Sequence, residues 1–177
     1  QQAKIVRTKA FKSWFGDWEN DSDNASKVVD ENGEPLVVYH GTNADFNKFK
    51  PTKPNFYAIT EGTYFFTDNE NVAANFGKYV IPVYLNIDNP TELDGRSAGR
   101  FNTWELNDDS GNYGWIVKNS DTGGGITTEY AVENPTQIKS ATGNDGGFDG
   151  SDPDIRYQVI GERGAEALDA AEEATTR

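Results

Sequence analysis

Three stretches of the chain hold residue types able to act on a small flat ligand. The run LVVYHGT, residues 36–42, carries His40, the single histidine among 177 residues, followed by Gly41 and Thr42. Glycine lets main chain approach a ligand closely and Thr42 adds a hydroxyl, so the triplet offers a planar molecule a backbone donor and a backbone acceptor. The same triplet also serves as a plain strand-to-loop exit. In TYFFTDNENVAANF, Phe65 and Phe76 stand eleven apart, where their rings either face each other across a flat molecule or simply fill the core. In TTEYAVEN, Glu129 follows a glycine-rich stretch, and alternation puts Thr127, Glu129 and Ala131 on one face of a strand, with Ile126, Thr128, Tyr130 and Val132 on the other. A carboxylate on the less apolar face of a strand is ordinarily solvated.

These residues need elements to position them. SKVVDENGEPLVVYHGT reads as two β-prone runs around Asn32-Gly33, a pair suited to the positive φ angles of a tight hairpin, which puts His40 at a strand exit. TYFFT is a strand, DNENVAANFG a helix opening at Asp68 or Asn69 and closing at Gly77, and KYVIPVYLNI a further strand. DNPTELD reads as a turn and edge, and residues 94–114 are polar and poorly patterned. GWIVKN and GITTEYAVEN are two strands joined through SDTGGG, and PTQIKSA is one more. Upstream, Phe11, Trp14, Phe15 and Trp18 fall at helical spacing and read as one packed aromatic face. ADFNKFKPTKPNFYAITEG and TGNDGGFDGSDPD read as surface loops. Two segments result: a domain over residues 1–160 and a trailing, solvated, alanine- and glutamate-rich helix or linker over 161–177.

Composition bounds the chemistry. Sixteen basic against 29 acidic side chains give a net charge of −13, which repels nucleic acid and anionic membranes at long range. With no cysteine and one histidine, neither a disulfide framework nor the usual zinc cluster can form, so no metal is expected. No run is long and apolar enough for a membrane helix. The opening QQAKIV has no signal-peptide pattern and reads as a cut from a larger polypeptide. As this fragment the chain is expected to be a monomer.

LVVYHGT, TYFFTDNENVAANFG and EYAVENPTQIK, in that order, resemble the ADP-ribosyltransferases of the diphtheria-toxin and poly(ADP-ribose) polymerase branch, which carry a histidine in an HGS or HGT motif, a tyrosine on a second strand and a glutamate on a later strand. The last segment is similar to the family's closing motif at Glu129, Tyr130, Val132 and Gln137. Residues 11–157 further resemble the ADP-ribosyltransferase domains of large phage-encoded polyvalent proteins. The resemblance implies an α+β fold, a split β-sandwich of two antiparallel sheets with peripheral helices and NAD bound, as substrate, in the split. It implies mono-ADP-ribosyl transfer to a macromolecule, a protein in preference to a nucleic acid, by a toxin-like effector acting in the bacterial cytoplasm after phage delivery. NAD hydrolysis and a silent NAD-binding scaffold are the alternatives.

Carried over by position, His40 would donate a hydrogen bond to the adenosine-side ribose, the Gly41 backbone would bind the nicotinamide carboxamide, and Thr42 would be among the residues that bind NAD. Phe65 and Phe76 would clamp the nicotinamide ring, and Glu129 would hold the ribose 2′-hydroxyl. The family's tyrosine falls at Phe65 when counted back from Phe76, and at Tyr64 when counted from Gly62. Neighbours on a strand point oppositely, so one of the two lines the cleft, and the intact spacing to Phe76 favours Phe65. The acceptor-contacting loop would be residues 119–128. Thr127, where arginine-modifying relatives carry a glutamate, argues against an arginine acceptor. Lys48, Lys50, Lys53, Arg96, Arg100 and Arg156 are cations available to the pyrophosphate.

Overall fold

A computed structural model describes residues 2–44, 48–49, 62–97, 105–106, 108–144 and 146–156. Lys50, Lys53, Arg100, most of the 45–61 loop and the trailing segment 161–177 lie outside the described residues. Two short helices open the chain, α1 (Gln2–Ile5) and α2 (Lys9–Phe15). Thr8 caps α2 by accepting from the Phe11 amide at 3.2 Å, and Gly16, at φ +99°, ends it. A Cβ on Gly16 would sit 2.4 Å from Ala25 Cα, so only glycine lets the chain turn there. Trp18 therefore follows the helix rather than continuing its face, but its ring still packs with Phe11, Trp14 and Phe15.

The strands are β1 (Val38–Thr42), β2 (Tyr64–Thr67), β3 (Tyr79–Leu85), β4 (Asn89–Asp94), β5 (Tyr113–Asp121), β6 (Ile126–Val132) and β7 (Ile138–Ser140). Helix α3 (Glu70–Ala73) follows β2, capped by Asn69 and extended by a 3-10 turn, Ala74–Phe76, up to Gly77. The expected hairpin around Asn32-Gly33 contracts to a turn with one isolated bridge, Val29 to Pro35, because Pro35 has no N–H to continue a ladder. Gly33 alone takes a positive φ there.

The two separate antiparallel sheets expected from the resemblance are instead one seven-stranded mixed sheet, ordered β4-β5-β6-β2-β1-β3-β7. β4 runs parallel to β5. Every other neighbouring pair is antiparallel. The sheet nonetheless has a weak seam. β1 and β2 meet at one register pair, Tyr39 with Thr67, whereas β1 and β3 pair along the whole of β1. The main core joins the arms on either side of that seam, Val38, Val83 and Leu85 from one with Tyr64, Phe66, Ile116 and Val132 from the other. Among the described residues no helix is long and apolar enough to cross a membrane.

Candidate active site

Tyr39, Thr67, Glu129 and Val117 form one row across β1, β2, β6 and β5. At about 4.8 Å per strand, the Tyr39 and Glu129 backbones are roughly 10 Å apart. Beyond Tyr39 the two central strands part, and the opening between them is spanned by a side chain: His40 Nδ1 lies 2.7 Å from the Phe65 carbonyl oxygen. Its ring packs against Phe49 and Phe66 at centroid distances of 5.0 and 5.4 Å, on the core face of the sheet. Burial lowers its pKa, opposed by the Phe65 carbonyl. A carbonyl only accepts, so the neutral ring carries its proton on Nδ1 and presents a lone pair at Nε2. This reverses the expected polarity: toward a sugar hydroxyl, this tautomer accepts.

Gly41 points to the face that also carries Tyr39 and Thr67, and α3 closes over it there. A Cβ on Gly41 would fall 1.8 Å from the Ala73 carbonyl oxygen and 3.1 Å from Phe76 Cβ. No other residue fits that contact. Phe76, at the end of the 3-10 turn, is 55% exposed, so it is not a core filler. Thr42 Oγ accepts from the Ala44 amide at 3.2 Å, closing the strand exit.

Register separates Tyr64 from Phe65. Phe65 pairs with Ala131 and packs against the buried cluster of Trp115, Val117 and Ala131 on the face that bears Glu129. Tyr64 is buried on the opposite face against Phe49, with ring centroids 5.2 Å apart.

Glu129 is only 6% exposed, contrary to the solvated carboxylate that its position in a strand suggests. Burial pushes its pKa up to about 7, and a hydrogen bond from Ser120 Oγ to Oε2, 2.9 Å, opposes the shift. Thr127, on the same face, is also buried, and its hydroxyl has no hydrogen-bond partner among the described residues. The stretch expected as an acceptor loop over residues 119–128 is mostly strand: β5 runs to Asp121 and β6 starts at Ile126. The short Gly124 tip abuts α3 and the 3-10 turn after it, where a Cβ would lie 2.5 Å from Asn75 Nδ2 and 3.4 Å from the Val72 side chain. Ile126, 70% exposed, stands beside it.

Of the expected cations within the described residues, Arg96 and Arg156 have their charges engaged elsewhere. Arg96 is paired with Asp94 at 2.9 Å, Arg156 with Asp154 at 3.4 Å, and Lys48 bridges Asp154 through its backbone. Among the described residues no group of three or more His, Asp or Glu is placed to hold a metal ion. Ser120 entered the sequence reading only within the 119–128 acceptor stretch, with no role toward Glu129. Alternation counted from Val117 along β5 puts it on the wrong face, and only the pairing with β6 reveals the extra residue that turns it toward Glu129.

Gly41, Phe65, Phe76 and Glu129 thus share one face, with His40 reaching the opening between β1 and β2 from the other. No curated protein and no solved structure matches the chain. The family model described as "ADP-Ribosyltransferase in polyvalent proteins" matches residues 30–148, a span that begins before His40 and ends beyond Glu129. The chain belongs to that family of ADP-ribosyltransferase domains.

Proposed function

We propose that the domain cleaves the bond between nicotinamide and ribose in NAD and transfers ADP-ribose to a macromolecular acceptor, most readily a protein given the net charge of −13. The observation that carries this reading is the buried carboxylate of Glu129 on the same face as Phe65 and the Gly41–Phe76 contact. The missing Cβ of Gly41 makes room for the Ala73 carbonyl of α3, which sets Phe76 beside the Gly41 main chain assigned to the nicotinamide carboxamide; the exposed ring of Phe76 is suited to stacking on the nicotinamide π-face. Phe65 supplies a second aromatic face but no phenol, so no hydrogen bond is drawn from that position. Thr42 and Tyr64 have other work in this fold, at the strand exit and in the core.

As the C–N bond breaks, the electron pair leaves with nicotinamide, which departs neutral, and positive charge develops on the ribose. Glu129, ionised, stabilises that charge and holds the 2′-hydroxyl. The acceptor attacks the anomeric carbon and loses its proton. The leaving group is already cationic, so no general acid is required. His40, neutral at Nε2, accepts from a hydroxyl of the adenosine-side ribose. Thr127 provides no second carboxylate, which argues against arginine as acceptor. The acceptor would be met in the bacterial cytoplasm after phage delivery.

The test is labelled NAD in bacterial lysate with the wild type and Glu129→Gln in parallel. Label transfer with nicotinamide release is expected from the wild type, and a loss on the order of a hundred- to a thousandfold in the variant. Equal rates in both would remove Glu129 from the mechanism. Free ADP-ribose without labelled target would make the protein an NAD hydrolase, and binding without turnover a silent module.

A further inference from the structure

Resting on that reading, we propose that Ser120 is the positioning residue for Glu129 and that a β-bulge in β5 exists to deliver it. Between Val117 and Ser120 the β5 chain takes three steps while β6 takes two, from Glu129 to Thr127. The extra residue is accommodated at Asn119, the one non-glycine residue with positive φ, +54°, among those described. Without it Ser120 would stand opposite Ile126 and point to the other face. With it Ser120 pairs with Thr127, and its hydroxyl donates to Glu129 Oε2 at 2.9 Å.

Neighbouring residues hold this irregularity in place. The Gly95 amide donates to the Lys118 carbonyl at 2.6 Å, and a Cβ on Gly95 would come within 2.8 Å of the Asn119 oxygen and Ser120 Cα. The Asn119 side chain also helps to hold the Asp94 carboxylate below its ordinary range. A bulge secured from an adjacent strand is a built feature that re-aims one side chain. The chemical consequence is an asymmetric carboxylate, with Oε2 fixed by Ser120 and Oε1 left to face the sugar. Other charged groups nearby are directed elsewhere. Asp68 accepts from the Thr128 amide, Asp121 from the Gly123 amide, Asp94 pairs with Arg96, and Lys118 faces the opposite side of β5.

The experiment compares Ser120→Ala and Ser120→Thr with the wild type. In protein carrying ¹³C-labelled glutamate and no NAD, the Glu129 carboxyl titration midpoint should rise in the alanine variant and return toward the wild-type value in the threonine variant. In turnover, Ser120→Ala should lower kcat about ten- to a hundredfold, as loss of a hydrogen bond to a charged group predicts, with KM for NAD within about twofold. A merely structural serine would move neither the midpoint nor the split between kcat and KM. If the alanine variant is too unstable to assay, Ser120→Cys, a weak donor of similar size, carries the same test. The two possible failures are separable: Glu129→Gln turning over like wild type defeats the functional reading. A dead Glu129→Gln beside a Ser120→Ala of unaltered midpoint and kcat defeats only the positioning role.

Discussion

Around Phe11 the aromatic cluster closes on itself: Trp14 Nε1 donates to the Thr136 carbonyl at 2.9 Å, Trp18 Nε1 to the Val6 carbonyl at 2.8 Å, and Asn86 Nδ2 to the Trp14 carbonyl at 2.7 Å. Around Glu129 the opposite holds. A carboxylate is buried with its pKa driven up to about 7, the Thr127 hydroxyl is buried without a partner among the described residues, and the Phe76 ring stands in solvent. The first region satisfies its polar groups, with Asn86 Oδ1 as an exception. The second leaves the Thr127 hydroxyl short of a partner among the described residues and holds a carboxylate out of water, and both cost stability. The comparison separates a region whose polar groups are paired within the domain from one where burial leaves a carboxylate poorly solvated and a hydroxyl unpaired among the described residues.

The largest effect falls in the first region. Phe11→Ala, which empties a fully buried ring site against Phe15, Tyr84 and Phe148, is expected to cost about 3–5 kcal/mol in urea unfolding while leaving NAD turnover per folded molecule unchanged. Lost turnover in the folded fraction would collapse the distinction. Glu129 should behave inversely. Its folded pKa of about 7 lies above its ordinary value of 4.5, so between those limits the native state keeps a proton that the unfolded chain has released. Stability therefore declines as pH rises across that window, by up to about 3 kcal/mol, and Glu129→Gln removes the decline. Denaturation curves at pH 4 and pH 8 should show the variant gaining on the wild type at the higher pH. The same protonation predicts that wild-type kcat/KM rises with pH through about 7.

Gly41→Ala tests the contact of β1 with α3. Its Cβ collides with the Ala73 carbonyl, so a loss of about 1–3 kcal/mol is expected together with weaker NAD binding by calorimetry. Normal affinity in this variant would take the α3 contact out of the site. Smallest of all, Phe76→Ala should leave stability within about 0.5 kcal/mol, as befits an exposed ring, yet weaken NAD binding by about 0.5–1.5 kcal/mol through lost stacking. A variant that loses stability and keeps affinity would reassign Phe76 to the first region.

Local pattern carried much of this molecule. The α2 aromatic face, the strands around His40, Phe65 and Glu129, and the helix between Asn69 and Gly77 are legible because each depends on the spacing of residues close in sequence. The joining of both arms into one sheet was not legible, since a single register pair, Tyr39 with Thr67, makes the connection. Neither was the burial of Glu129. Its own strand shows only that it alternates with Tyr130, and what covers it comes from elsewhere in the chain.

The amino-acid order by itself thus set which residue types lie on each element and which neighbours share a face, because backbone geometry repeats every two or 3.6 residues. Tertiary pairing decided that Phe65 and Glu129 lie on one side while Tyr64 lies on the other within the core, that His40 holds its proton at Nδ1, and that Ser120 turns toward the carboxylate. Those outcomes depend on register between distant strands, where one inserted residue reverses the direction of every side chain after it.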